Sequence, residues 1–75
     1  MSDMRFPDQR TVERVRTAYP KGTRVELVKM NDLHAPPSGT KGTVLAVDDT
    51  ASLVMALDNG SSLNVVYGAD IVRKI

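Results

Sequence analysis

The chain has no cysteine and no tryptophan, and one phenylalanine and two tyrosines are its only aromatic residues. Without cysteine there is no disulfide and no thiolate metal site, which fits a reducing cytosolic setting. With so few rings, the sequence lacks the means for a proline-peptide groove lined by aromatics, for a methyl-lysine cage, or for base stacking along a single strand. The only histidine is His34, so a nucleophile, base and acid set has no ready base partner beyond a loop residue beside prolines. No stretch approaches the roughly 20 apolar residues of a membrane helix. Met1 to Asp8 holds Asp3, Arg5 and Asp8 and does not resemble a secretory signal. The expectation is a soluble, cytoplasmic protein.

Neither sign of charge dominates. Ten Lys and Arg stand against nine Asp and Glu, a net charge of +1, which is not the profile of an obligate nucleic-acid binder. The distribution is uneven, with a basic front that includes Arg10, Arg14, Arg16, Lys21 and Arg24 and an acidic back that includes Asp48, Asp49, Asp58 and Asp70. Seventy-five residues make one domain with a small core, worth about 3–5 kcal/mol of net stability. Residues 1–7 have no apolar period and are expected to be a flexible N-terminus, with Phe6 as the one anchor. Residues 8–75 are the domain.

Asp8 can cap a helix of about residues 8–19, whose buried face is Val12, Val15 and Tyr19. Pro20 ends it. From Thr23 the apolar period becomes two, and a barrel is expected over about 23–75. Its strands are expected from Thr23, over Thr40–Asp48, Ser52–Asp58 and Ser62–Val66, and over Ile71–Ile75. Asn59-Gly60 between two strand patterns predicts a tight type I′ hairpin with positive φ at both central residues. Tyr67–Asp70 predicts one turn of 3₁₀ helix. The predicted core is Val12, Val15, Val25, Leu27, Val44, Val47, Leu53, Met55, Leu57, Leu63, Val65 and Ile71. No internal repeat stands out. The fold class is mainly β: a small five-stranded SH3-like barrel with one short N-terminal α-helix, closed so that few strand edges are exposed.

Several turns together carry a family likeness. Tyr19-Pro20-Lys21-Gly22-Thr23-Arg24-Val25, Ala35-Pro36-Pro37-Ser38-Gly39-Thr40-Lys41-Gly42-Thr43-Val44, Asp58-Asn59-Gly60-Ser61-Ser62-Leu63 and Val66-Tyr67-Gly68-Ala69-Asp70 resemble an uncharacterised bacterial domain family. That family is a small SH3-like barrel common in phage and conjugative-element proteins. The resemblance spans roughly residues 12–75 and implies a genomic setting, with no established activity. A looser likeness, through Gly22, Val25, Gly39, Gly42 and Val44, is to KOW-type barrels.

The residues point away from an enzyme and from any cofactor or metal. Asp48 and Asp49 are adjacent and suit a turn better than a carboxylate pair, and the acidic residues show no ligand spacing. Ser38-Gly39-Thr40-Lys41-Gly42 has the composition of a phosphate loop but leads into a strand. The leading expectation is a non-enzymatic binding module of a phage or mobile genetic element that engages a host or element protein, as an inhibitor of it. The candidate contacts are Asp32 and His34 in the proline-stiffened loop, residues 31–40, and Lys41 just after it. The alternative is a nucleic-acid-binding module using Arg10, Arg14, Arg16, Lys21 and Arg24 on phosphates. A structural subunit is a third reading. The partner and the oligomeric state are left open by the sequence.

Overall fold

The computed structural model of the protein describes residues 8–30 and 33–75. It is mainly β: five antiparallel strands follow one short helix, in the order α1 (Gln9–Ala18), β1 (Arg24–Lys29), β2 (Lys41–Val47), β3 (Ser52–Leu57), β4 (Ser62–Val66) and β5 (Ile71–Lys74). The expected mainly β class with one short N-terminal helix holds; among the described residues β4 and β5 stand at the two edges of the sheet and are not paired with each other, so the expected closure is not seen. The expected flexible segment 1–7, Phe6 within it and Asp32 lie outside the described residues. Among the described residues no helix is long and apolar enough to cross a membrane.

α1 begins where the Asp8 carboxylate accepts the Thr11 N–H at 2.9 Å, supplying one of the four acceptors that a helix N-terminus lacks. It ends at Tyr19, whose N–H still reaches the Val15 carbonyl at 2.8 Å before Pro20 prevents another turn. Val12 and Val15, one turn apart, are its buried residues. Arg16, beside them, donates from Nε to the Val47 carbonyl at 3.1 Å and pairs with Glu13 and with Asp49. This side chain fastens the helix to the end of β2.

The strands form one sheet in the order β4-β3-β2-β1-β5, so a four-strand meander is completed when β5 returns to β1. The β1–β2 junction hides a local two-fold repeat. Pro20-Lys21-Gly22-Thr23 and Pro37-Ser38-Gly39-Thr40 are the same turn: each threonine N–H and hydroxyl bonds to the proline carbonyl, and each glycine sits at φ 93–94°. Each turn then pairs with the strand that follows the other, Gly22 and Thr23 with Val44, and Gly39 and Thr40 with Leu27. The register centres on Val25 opposite Gly42. A repeat this short passes unnoticed in the sequence because only the proline, glycine and threonine of each copy are shared.

Two turns differ from expectation. In the β3–β4 hairpin only Gly60, at φ 94°, is left-handed; Asn59 is not. Gly60 N–H bonds to the Leu57 carbonyl at 3.0 Å and Leu57 N–H to the Ser61 carbonyl at 2.7 Å, a type I turn followed by a glycine bulge. The Asn59 side chain instead accepts from the Ser61 N–H and hydroxyl, which keeps its own backbone right-handed. The Tyr67–Asp70 segment is a single turn around Gly68 at φ 92°, not 3₁₀ helix, and the Asp70 carboxylate accepts the Val66 N–H at 2.9 Å.

The buried core holds ten of the twelve predicted residues, without Ile71 and Leu63, and gains Ala51. Ile71 is 51% exposed and Ala51, in a turn, is buried. The β1–β5 register shifts between Leu27 and Lys29, which sets Ile71 opposite Lys29 and Val72 opposite the buried Leu27. A step of one residue exchanges the faces of a strand, so Val72 packs against the core in place of Ile71. Ala51 has φ 61°, uncommon for any residue but glycine. One oxygen of Asp48 accepts the Thr50 N–H, the Thr50 hydroxyl and the Ser52 N–H, and the chain must turn left-handed to complete that set. The Ala51 methyl then enters the core. Leu63 is only partly buried.

Candidate ligand-binding cleft

The helix end and the β4–β5 turn meet over one open end of the core. Tyr19, held at the C-terminus of α1 by its own N–H and by the Pro20 turn, packs partly buried against the core cluster. Tyr67 stands in the turn that Gly68 and Asp70 shape, and it is 48% exposed. Between the two tyrosines lies a half-open cleft of about 290 Å³, floored by Leu53, Val65 and Val72 and bounded by Gly68 and Asp70. The Lys74 ammonium lies 5.0 Å from the centre of the Tyr19 ring, close enough for a cation–π attraction that steadies the ring.

At about 290 Å³ the cleft lies at the small end of the range for sites that hold drug-sized molecules and cofactors, about 300 to 1,000 Å³. Its floor is apolar, and phenol rings can contribute both contact area and a polar tip. The carboxylate of Asp70 already accepts the Val66 N–H, so it shapes the wall.

The residues singled out by sequence are dispersed. Asp32 lies outside the described residues. His34 is exposed in a turn of the loop, and Lys41 is the exposed first residue of β2. The loop is tied down at its far end, where Gly39 N–H donates to the Leu27 carbonyl at 2.8 Å and the Ser38 hydroxyl to the Val28 carbonyl at 2.6 Å. Lys41 adds to the field that holds the Asp58 carboxyl below the usual carboxylate range, although the main cause is hydrogen bonding from Arg24. Arg24 donates to both Asp58 oxygens, at 2.6 and 2.7 Å, and to the Thr43 hydroxyl, and its own pKa is raised by that pairing.

The five basic residues of the nucleic-acid reading therefore separate. Arg16 and Arg24 are committed to the fold. Arg10 and Arg14 share the open outer face of α1 with Gln9, Glu13, Thr17 and Ala18, and Lys21 is exposed in the Pro20 turn. Among the described residues no three or more His, Cys, Asp or Glu side chains come together in a way that could hold a metal ion.

The cleft is not legible in the sequence, where Tyr19 reads as part of the buried helix face and Tyr67 as the start of a turn. Their partnership depends on β5 bringing the chain end back to the helix, and residue spacing does not carry that. The available signal was local: an aromatic side chain placed directly before a turn glycine at Tyr67-Gly68 has little core to enter.

A family model described as a domain of unknown function, DUF4314, matches residues 8–75. No curated protein matches the chain.

Proposed function

Because the chain belongs to the DUF4314 family, a domain of unknown function, its own geometry has to carry the reading, and we propose that it is a non-enzymatic protein-binding module that seats an apolar side chain of a partner protein in the Tyr19–Tyr67 cleft. The supporting observation is the cleft itself: two tyrosines over an apolar floor of Leu53, Val65 and Val72, with Tyr67 half exposed. Tyrosine is among the side chains that contribute most to protein interfaces, because a large rigid surface is gained at small entropic cost. On this reading the curled sheet is an SH3-like barrel. The domain acts in the cytoplasm in a phage or mobile-element setting, as the sequence resemblance implies, and occupying a host protein's surface would inhibit that protein. The commitment of Arg16 and Arg24 to internal pairs leaves the basic surface thin and favours this reading over nucleic-acid binding.

Selection from a random peptide library displayed against the immobilised domain tests it. Selected peptides should share an apolar anchor residue. Tyr67→Ala should weaken their binding by about 10-fold or more, the effect of losing roughly 1.4 kcal/mol at a central contact. Arg10→Glu with Arg14→Glu should leave it unchanged. Binding that survives Tyr67→Ala would refute the cleft. A low-salt gel shift with DNA or RNA that disappears in the double arginine variant would favour the alternative.

A further inference from the structure

Among the described residues β4 is one outer strand of the sheet with no strand on its outer side, and that edge has features that suit a second copy of this chain. The Leu57 N–H bond to the Ser61 carbonyl fixes that pair as a hydrogen-bonded one. Alternation along the antiparallel register, Met55 opposite Leu63 and Leu53 opposite Val65, then directs the N–H and C=O of Leu63 and Val65 to β3. Ser62, Asn64 and Val66 point theirs away from the sheet. Val66 is already satisfied: its N–H goes to Asp70, and its carbonyl accepts from Ala69 and Asp70. The backbone groups of Ser62 and Asn64 are left facing outward, on residues that are themselves exposed.

Edge strands are ordinarily protected from self-pairing by charge or proline. The opposite edge, β5, carries Arg73 and Lys74. β4 has no such guard: from Asn59 to Ala69 the sequence contains no charged residue and no proline. Two copies can therefore approach edge to edge without like-charge repulsion, and a domain this small without a disulfide gains from added burial.

We infer that β4 pairs antiparallel with β4 of a second copy, about a two-fold axis through Leu63, making a symmetric dimer. Ser62 of each copy then faces Asn64 of the other, and each such pair exchanges two backbone hydrogen bonds. The two half-buried Leu63 side chains meet at the axis. A register centred on Asn64 would require the Val66 groups that the turn already uses. Two five-residue strands bury less than the roughly 1,200 Å² of a stable interface, so the dimer is reversible and grows with concentration. This goes beyond the cleft reading and stands without it.

Sedimentation velocity over a concentration series, with three proteins, is the test. The native chain should move from its 8.2 kDa monomer mass toward twice that as concentration rises. Ser62→Lys with Asn64→Lys should weaken association at least 10-fold, because each cross-copy pair then opposes two cations. Ser62→Lys with Asn64→Glu should associate more tightly than the native chain, because each pair becomes an ion pair. Thermal melts report whether both variants fold. A native chain that stays monomeric at millimolar concentration would overturn the inference, and so would a double-lysine variant that associates unchanged. If the Lys–Glu variant is no tighter than the double-lysine one, the register is wrong. Should the variants fail to fold, amide exchange on the native chain decides: Ser62 and Asn64 amides must slow as concentration rises, and unchanged exchange rejects the dimer.

Discussion

Gly42 lies buried in β2, between Val25 of β1 and Leu57 of β3. Its φ is not in the left-handed region, so conformational freedom does not explain the glycine. Space does. A Cβ at this position would sit 2.7 Å from the Ala56 carbonyl oxygen, 2.9 Å from the Met55 methyl and 3.1 Å from a Leu57 methyl. The two methyl groups can move aside. The carbonyl belongs to the β2–β3 ladder, and to clear it the two strands must separate locally. Overpacking of this kind costs about 1–3 kcal/mol. Alanine returns part of that, up to about 1 kcal/mol, by restricting the unfolded chain. The net loss for Gly42→Ala is on the order of 1–2 kcal/mol, a large share of the roughly 3–5 kcal/mol available to so small a domain. At about 4–8 °C per kcal/mol, the melting temperature should fall by roughly 5–15 °C. Gly22→Ala is the comparison, since a Cβ there meets nothing within 4 Å and the cost comes only from φ 94°. Circular-dichroism melts and urea titrations of both variants measure the effect, and amide shifts show where the strain goes. Shifts for Gly42→Ala should concentrate on Ala56 and its ladder neighbours. A Gly42→Ala protein within about 0.5 kcal/mol of the native one would refute the close-approach reasoning.

Asp48→Ala removes the acceptor of three hydrogen bonds in the turn that places Ala51, and should cost about 1–2 kcal/mol by urea denaturation, with Asp48→Asn losing less because its side-chain oxygen can still accept. The Asp48 carboxyl is held below the usual carboxylate range, chiefly by the Thr50 hydroxyl, and Asp58 likewise by Arg24. These groups bind protons less readily folded than unfolded. Their contribution is therefore complete above the unfolded value of about 4 and is lost as the pH falls through the lower folded values; melting temperatures should hold down to about pH 5 and decline below pH 4. A melting temperature unchanged from pH 5 to 2.5 would contradict this. Val15→Ala, at a side chain only 1% exposed, should destabilise by about 1.5–2.5 kcal/mol, whereas Arg14→Ala on the outer face of the same helix should change stability by less than about 0.5 kcal/mol in the same titration.

The sequence by itself determined the elements. Asp8 and Pro20 delimit the helix, the alternation from Ser52 to Leu57 marks a strand with its inward residues, and glycines and prolines mark the turns. All of these are short-range effects, set by dihedral limits and hydrogen bonds within a few residues, so local pattern carries them. Tertiary structure decided what depends on residues far apart. The register shift beside Lys29 chose Val72 over Ile71 for the core, because strand faces are assigned by the partner strand. Ala56, reached only through strand pairing, explains Gly42. The internal pairs of Arg16 and Arg24 removed two cations from a basic face that composition alone suggested. The cleft belongs to the same class: Tyr19 and Tyr67 become one site only when β5 closes beside β1 and carries the end of the chain back to the helix.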